Sequence, residues 1–185
     1  MIERVDSAPV DRLIDHIVNT HHAYARQALL AIARQLRTLL DTHGSRYLQL
    51  AAVAKVFAAL ASDLTQHMLK EERVLFPYVR DLAEHASELC GRVISPFGTV
   101  ENPIRMMERE HQQAADAMRL IRDLTGGYSV PDDASAMYGA CMAELARFER
   151  DLDRHVFLEN NVLFPRALAL EVRSIRGASA ARSDR

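Results

Sequence analysis

Two cysteines, Cys90 and Cys141, are the only thiols in the chain, and they form neither a C-x-x-C pair nor a zinc-ribbon spacing. That excludes a disulfide framework and leaves no thiolate set for an iron–sulfur cluster or blue-copper site. The spacing around them predicts a loop thiol at Cys90 and a core thiol at Cys141. Tryptophan is absent, and no segment holds 18 continuous apolar residues, which argues against a membrane-spanning helix. The first residues, Met1 to Asp6, lack the apolar run of a signal peptide, so the cytoplasm is the expected compartment. Net charge is −2 and no basic block stands outside the short tail, so nucleic acid is not an expected partner. No stretch reads as a convincing strand. At 185 residues, 49% of them apolar, the chain suits one domain with a full core.

What is present is histidine, eight in all, and a stretch that occurs twice. His67–Pro77 and His155–Pro165 both read H-x-x-x-E-x-x-V-L-F-P. Apolar residues at helical spacing surround each copy, and residues four apart on a helix share a face. Each copy therefore sets an imidazole beside a carboxylate, a metal-binding half-site. A single H-x-x-x-E is more often a satisfied histidine next to a solvated glutamate; the repeat in phase, with a shared apolar tail, reverses that preference.

Four long helical patterns follow in order, from Val10 to about Leu40, Tyr47 to Arg80, Asn102 to Thr125, and Pro131 to Val172. Pro9 suits a first helical turn, and Asn102-Pro103 reads as a cap followed by a first-turn proline. Gly126-Gly127 stops the third pattern, and Gly91 breaks the second after a stretch that can continue as helix. Pro77 and Pro165 lie inside their patterns and are expected to kink the last turn or end the helix one turn early. The apolar stripes predict an all-α, up-down-up-down four-helix bundle. Residues 1–9 form a lead, 10–172 the bundle, and 173–185 a flexible tail.

The stripes carry His22, His67, His111 and His155, one from each helix. Counted from the helix ends that share one end of an up-down-up-down bundle, their depths span roughly 14 to 23 Å at 1.5 Å per residue. Four imidazoles thus fall near one layer, with Glu71 and Glu159 a turn away. His21 competes with His22, and Asp63 and Asp151, four residues before His67 and His155, are candidates to hydrogen-bond near the site. Four imidazoles and two carboxylates exceed the needs of one tetrahedral zinc and suit iron or manganese. A dinuclear non-haem iron site is expected, with two iron ions and a bridging oxo or hydroxo group.

These motifs, together with Asp15-His16-Ile17-Val18 before His22 and Glu108-x-Glu110-His111, resemble the hemerythrin-like (HHE cation-binding) family. The string Leu158–Leu168, LENNVLFPRAL, is most similar to the iron–sulfur cluster repair di-iron proteins of that family, over about residues 10–170. The resemblance implies His22, His67, His111 and His155 as terminal ligands and Glu71 and Glu159 as bridges. It also implies a stress-response role in repairing iron–sulfur clusters damaged by nitric oxide or peroxide, through iron delivery or nitric oxide chemistry, with iron–sulfur proteins and small diatomic ligands as partners. An oxygen or nitric oxide sensor or store is the alternative. Oxygen-carrying hemerythrins place a second histidine where Ala115 stands. Long members of the repair group add an N-terminal domain with a Cys-Cys pair, which this sequence does not show.

Overall fold

The computed structural model describes residues 7–88, 93 and 95–183. Among them there is no strand, and four long helices form an antiparallel bundle. Helix α1 covers residues 10–43, α2 covers 49–88, α3 is Glu101–Leu124, and α4 covers 136–183. Helix α1 packs on α2 and α4, and α3 closes the bundle against α2. The expected break at Gly91 and the thiol of Cys90 lie outside the described residues. Cys141 is buried, and burial pushes its thiol up to about 12.

Three of the four helices contain one widened π turn: Ile17–His22 in α1, Glu71–Leu75 in α2 and Glu159–Leu163 in α4. Two of these turns decide the question posed by Pro77 and Pro165. The helices do not end there. The Phe76 amide donates to the Glu71 carbonyl and the Phe164 amide to the Glu159 carbonyl, five residues back in each case. This register absorbs the missing N–H of the proline that follows. The inward residues explain why the turn is needed. His67, Glu71, Leu75 and Val79 are all buried, as are His155, Glu159, Leu163, Ala167 and Glu171. A step of four residues overshoots the face of an α-helix by about 40° at 3.6 residues per turn. The wider turn takes that drift back.

Other boundaries differ from the sequence reading. Helix α3 begins at Glu101, before Asn102. The two residues before the helix are anchored from another helix: Glu171 accepts from the Val100 amide (2.8 Å) and the Thr99 hydroxyl (2.7 Å), and also from the Tyr78 hydroxyl (2.8 Å). Helix α4 starts at Ala136, not at Pro131, because Ser135 caps it by accepting from the Tyr138 amide. Its backbone stays helical through Ser183 rather than ending near Val172; alanine and arginine favour helix strongly enough to outweigh Gly177. Helix α3 stops where Gly126 and Gly127 take left-handed φ values of 61° and 78°.

The core is divided in two. One apolar cluster, including Ile32, Phe57, Ile121 and Phe148, fills the end away from the chain's first helical residues. A second, including Leu13, Ile17, Phe76, Met107 and Phe164, fills the other end. The polar layer lies between them.

Candidate metal centre

The division of the core places four histidines and two glutamates out of reach of water. His22, Glu71 and Glu159 are 0% exposed, His155 is 1%, and His67 and His111 are 2%. Their atoms form two overlapping groups, His22, Glu71, His155 and Glu159, and His67, Glu71, His111 and Glu159. Both glutamates belong to both groups. The structure thus brings together all six residues that the sequence pattern singles out.

Within the first group, His22 Nε2 lies 3.1 Å from His155 Nε2 and 3.4 Å from Glu71 Oε2, and His155 Nε2 lies 2.9 Å from Glu159 Oε1. Within the second, His67 Nε2 lies 2.9 Å from His111 Nε2 and 3.3 Å from Glu71 Oε2, and His111 Nε2 lies 3.0 Å from Glu159 Oε2. Phe76 stacks on His22 and Phe164 on His111. The two phenylalanines of the repeated tail, both members of the second apolar cluster, therefore cover the layer from that end of the bundle, one against His22 and one against His111.

Outside the layer, the Nδ1 nitrogens of three of these histidines are tied down. His22 Nδ1 donates to Glu72 (2.6 Å), His67 Nδ1 to Glu110 (2.9 Å) and His111 Nδ1 to Asn160 (2.9 Å). Arg26 holds Glu72, and Lys70 holds Glu110. With Nδ1 donating, the inward Nε2 of a neutral ring carries its lone pair toward the layer, ready for a metal. Sequence reasoning gave Glu72, Glu110 and Asn160 no role. Their signal was adjacency: each is next to a ligand candidate and so projects about 100° around its helix, toward the neighbouring helix.

His21 does not join either group. Its ring lies parallel to His155 with centroids 5.8 Å apart, and its Nδ1 meets Asp151 at 3.0 Å. Asp151 therefore serves His21 rather than a histidine of the layer, and Asp63 is an exposed residue on the rim of the cleft between α2 and α3.

Burial opposes ionisation of Glu71 and Glu159, but facing imidazoles overcome it: His67 and His22 hold Glu71 below the usual carboxylate range, and His155, His111 and His22 hold Glu159 well below it. In return, against the lowering effect of burial, Glu159 and Glu71 raise His22 to about 10, and Glu71 with Glu159 and Glu110 raises His67 to about 9. Even so, both oxygens of Glu71 and Oε2 of Glu159 lack a hydrogen-bond partner. Buried, unpartnered carboxylate oxygens are costly, and a cation between them removes the cost. Borderline nitrogens and hard oxygens, converging with no thiolate, form the donor set of a metal-binding centre and fit iron.

Comparison with known proteins agrees with the donor set. Residues 13–167 match the Hemerythrin HHE cation binding domain. The chain is 33% identical over 165 residues to the Iron-sulfur cluster repair protein YtfE of Escherichia coli O157:H7, spanning 89% of this chain and 69% of that protein. It is 31% identical over 162 residues to a probable iron-sulfur cluster repair protein of Haemophilus influenzae, spanning 88% of this chain and 67% of that one.

Proposed function

The chain belongs to the hemerythrin HHE cation-binding family, and from that premise we propose that it is a di-iron protein that repairs damaged iron–sulfur clusters under nitrosative and oxidative stress. The observation that carries the reading is the sharing of Glu71 and Glu159 between two four-residue groups. His22 and His155 would hold one iron, His67 and His111 the other, and the two glutamates would bridge them, with an oxo or hydroxo group completing the pair. Such a centre supplies redox chemistry and coordination of small ligands. The protein's own part is to exclude water with Phe76 and Phe164, to fix the imidazoles of His22, His67 and His111 through their Nδ1 partners, and to offset cationic charge with two carboxylates. The repair role follows the names of the relatives, whose clients are iron–sulfur proteins by that description. A reducing cytoplasm suits a ferrous cargo.

Iron transfer tests the reading. The protein reconstituted with ferrous iron should hold two irons per chain and restore a cluster-damaged iron–sulfur enzyme faster than an equal amount of free iron. Recovery no better than free iron sinks the delivery role.

One observation favours nitric oxide chemistry, or the alternative of a nitric oxide or oxygen sensor. A cavity of about 410 Å³ opens between α2 and α3, walled by Leu60, Leu64, Ala114 and Ala117, with His67 and Glu110 among its lining. Small apolar diatomics partition into such a space more readily than water or ions do.

A further inference from the structure

An iron donor must release an ion from a layer that water does not reach, so the ligand layer needs an outlet. The two halves of the layer differ in how their outer nitrogens are held, and one of those differences leads outward. In one half, Glu110 precedes His111 and fixes His67 through its Nδ1. At the corresponding position in the other half, His21 precedes His22 and lies against His155 instead, its ring parallel at 5.8 Å. His21 is 5% exposed, and its Nδ1 is 3.0 Å from Oδ1 of Asp151, whose side chain is 25% exposed. Asp151 in turn lines a surface cavity of about 290 Å³, together with Tyr24, Arg147, Arg150 and Arg154. The guanidinium of Arg147 lies 4.9 Å over the Tyr24 ring and that of Arg154 5.3 Å over Phe157. Three arginines thus line the same cavity as one carboxylate, and that carboxylate is tied to an imidazole stacked on a layer histidine.

We propose that His21, Asp151 and the arginine-lined cavity form an exchange port that passes ferrous iron from the His22/His155 side of the layer to an anionic, carboxylate-bearing acceptor. The proposal rests on the reading of the chain as an iron donor. A bare divalent cation is repelled by three guanidinium groups, whereas a polycarboxylate is drawn to them and bound in bidentate fashion. His21 and Asp151 are both ligand types that iron accepts, so the ion need not leave coordination on its way to the acceptor. The transfer is a ligand exchange. Iron stays ferrous and no electron moves. Oxygen lone pairs of the acceptor replace those of the layer residues, and the vacated imidazole takes up a proton from water.

The port is read by release kinetics and by anion binding. Protein loaded anaerobically with two ferrous ions is mixed with ferrozine, a sulfonated and therefore anionic chelator, or with neutral bipyridine. The Arg147→Ala/Arg150→Ala double variant should slow extraction by ferrozine about tenfold, the low end of electrostatic steering, and leave extraction by bipyridine nearly unchanged. Asp151→Asn should slow both. Calorimetric titration of the metal-free protein with citrate should show binding that the double variant loses. Unchanged ferrozine kinetics in the double variant, equal slowing of both chelators by it, or no citrate binding by the wild type each overturns the port. A chain that takes up no iron overturns the donor reading and the port together, and does so at the loading step, before any chelator is added.

Discussion

At Glu71 and Glu159 a full negative charge is held where no water reaches it, and that sets what each residue of the layer contributes. A carboxylate shared by two ions makes two metal–oxygen bonds and cancels charge between them. A terminal imidazole makes one bond and cancels none. Charge neutralisation weighs far more in the low-dielectric interior than at the surface. Glu71→Ala or Glu159→Ala should therefore lose most bound iron, while His22→Ala keeps at least one ion per chain, with His21 close enough to substitute in part. Metal content of the three variants after anaerobic reconstitution checks this; both glutamate variants holding two irons while His22→Ala holds none would overturn the assignment of the bridges. Spacing made these six residues legible in the sequence, because a 3.6-residue period fixes which side chains share a face. The partners of their outer nitrogens were not legible. Whether Glu72 faces His22, or Asn160 faces His111, depends on how two helices are rotated against each other, and one helix's periodicity carries no record of that. Asp151, a candidate to hydrogen-bond near the site, does so, but which histidine it meets was equally hidden: it pairs with His21 and not with a histidine of the layer.

Among the helices, the π turns carry the least expected information. The prolines read as kinks or early stops, yet α2 and α4 pass through them, with a π turn just before each proline. Proline is not the sole cause, because the π turn Ile17–His22 in α1 has no proline after it and occurs in the same layer. What the three turns share is a ligand candidate within them, His22, Glu71 or Glu159. Keeping the layer residues and the next apolar turn on one face demands the wider register, and proline makes that register cheaper by removing an N–H that has no partner in it. Pro77→Ala should then keep its π turn and two irons per chain, at a stability cost below about 1 kcal/mol, within the usual range for substitutions that leave packing intact. Denaturant unfolding and metal content of Pro77→Ala decide the point; loss of iron with folding intact would show that proline itself imposes the turn. Sequence did carry a trace of this: the spacing His155, Glu159, Leu163, Ala167 is too regular in fours for an undistorted α-helix. The early start of α3 left no such trace, since the amide of Val100, just before it, is met by Glu171, 71 residues downstream.

For the molecule as a whole, two apolar clusters pin the ends of the bundle and leave between them a layer that is stable only when its charges are balanced. The bundle was legible from the stripes, while the helical end of α4 was not, because residues 176–183 carry helix propensity in the sequence with no stripe of large apolar residues to read. In the metal-free protein the balance is kept by protons. His22 is raised from 6.5 to about 10 and His67 to about 9, so each is protonated at neutral pH in the folded state and contributes stability relative to the unfolded chain. That contribution is whole below about 6.5, the ordinary histidine value, and is lost as pH climbs through the folded values. The lowered pKa values of Glu71 and Glu159 work on the opposite side, stabilising above the ordinary glutamate range and ceasing to do so as pH falls through it. The metal-free protein should therefore melt at progressively lower temperature between pH 6.5 and 9. Iron replaces those protons, and its binding strengthens as pH rises because protons compete less for the same nitrogens. A ligand present at a hundred times its dissociation constant adds about 2.7 kcal/mol, which for a domain of this size is a shift of roughly 5–10 °C. The gap in Tm between iron-loaded and metal-free protein should start near that value around pH 6.5 and widen toward pH 9. Anaerobic thermal scans of both forms at intervals across that range measure it, and a gap that stays constant or narrows with rising pH would mean that protons on His22 and His67 are not what the metal displaces.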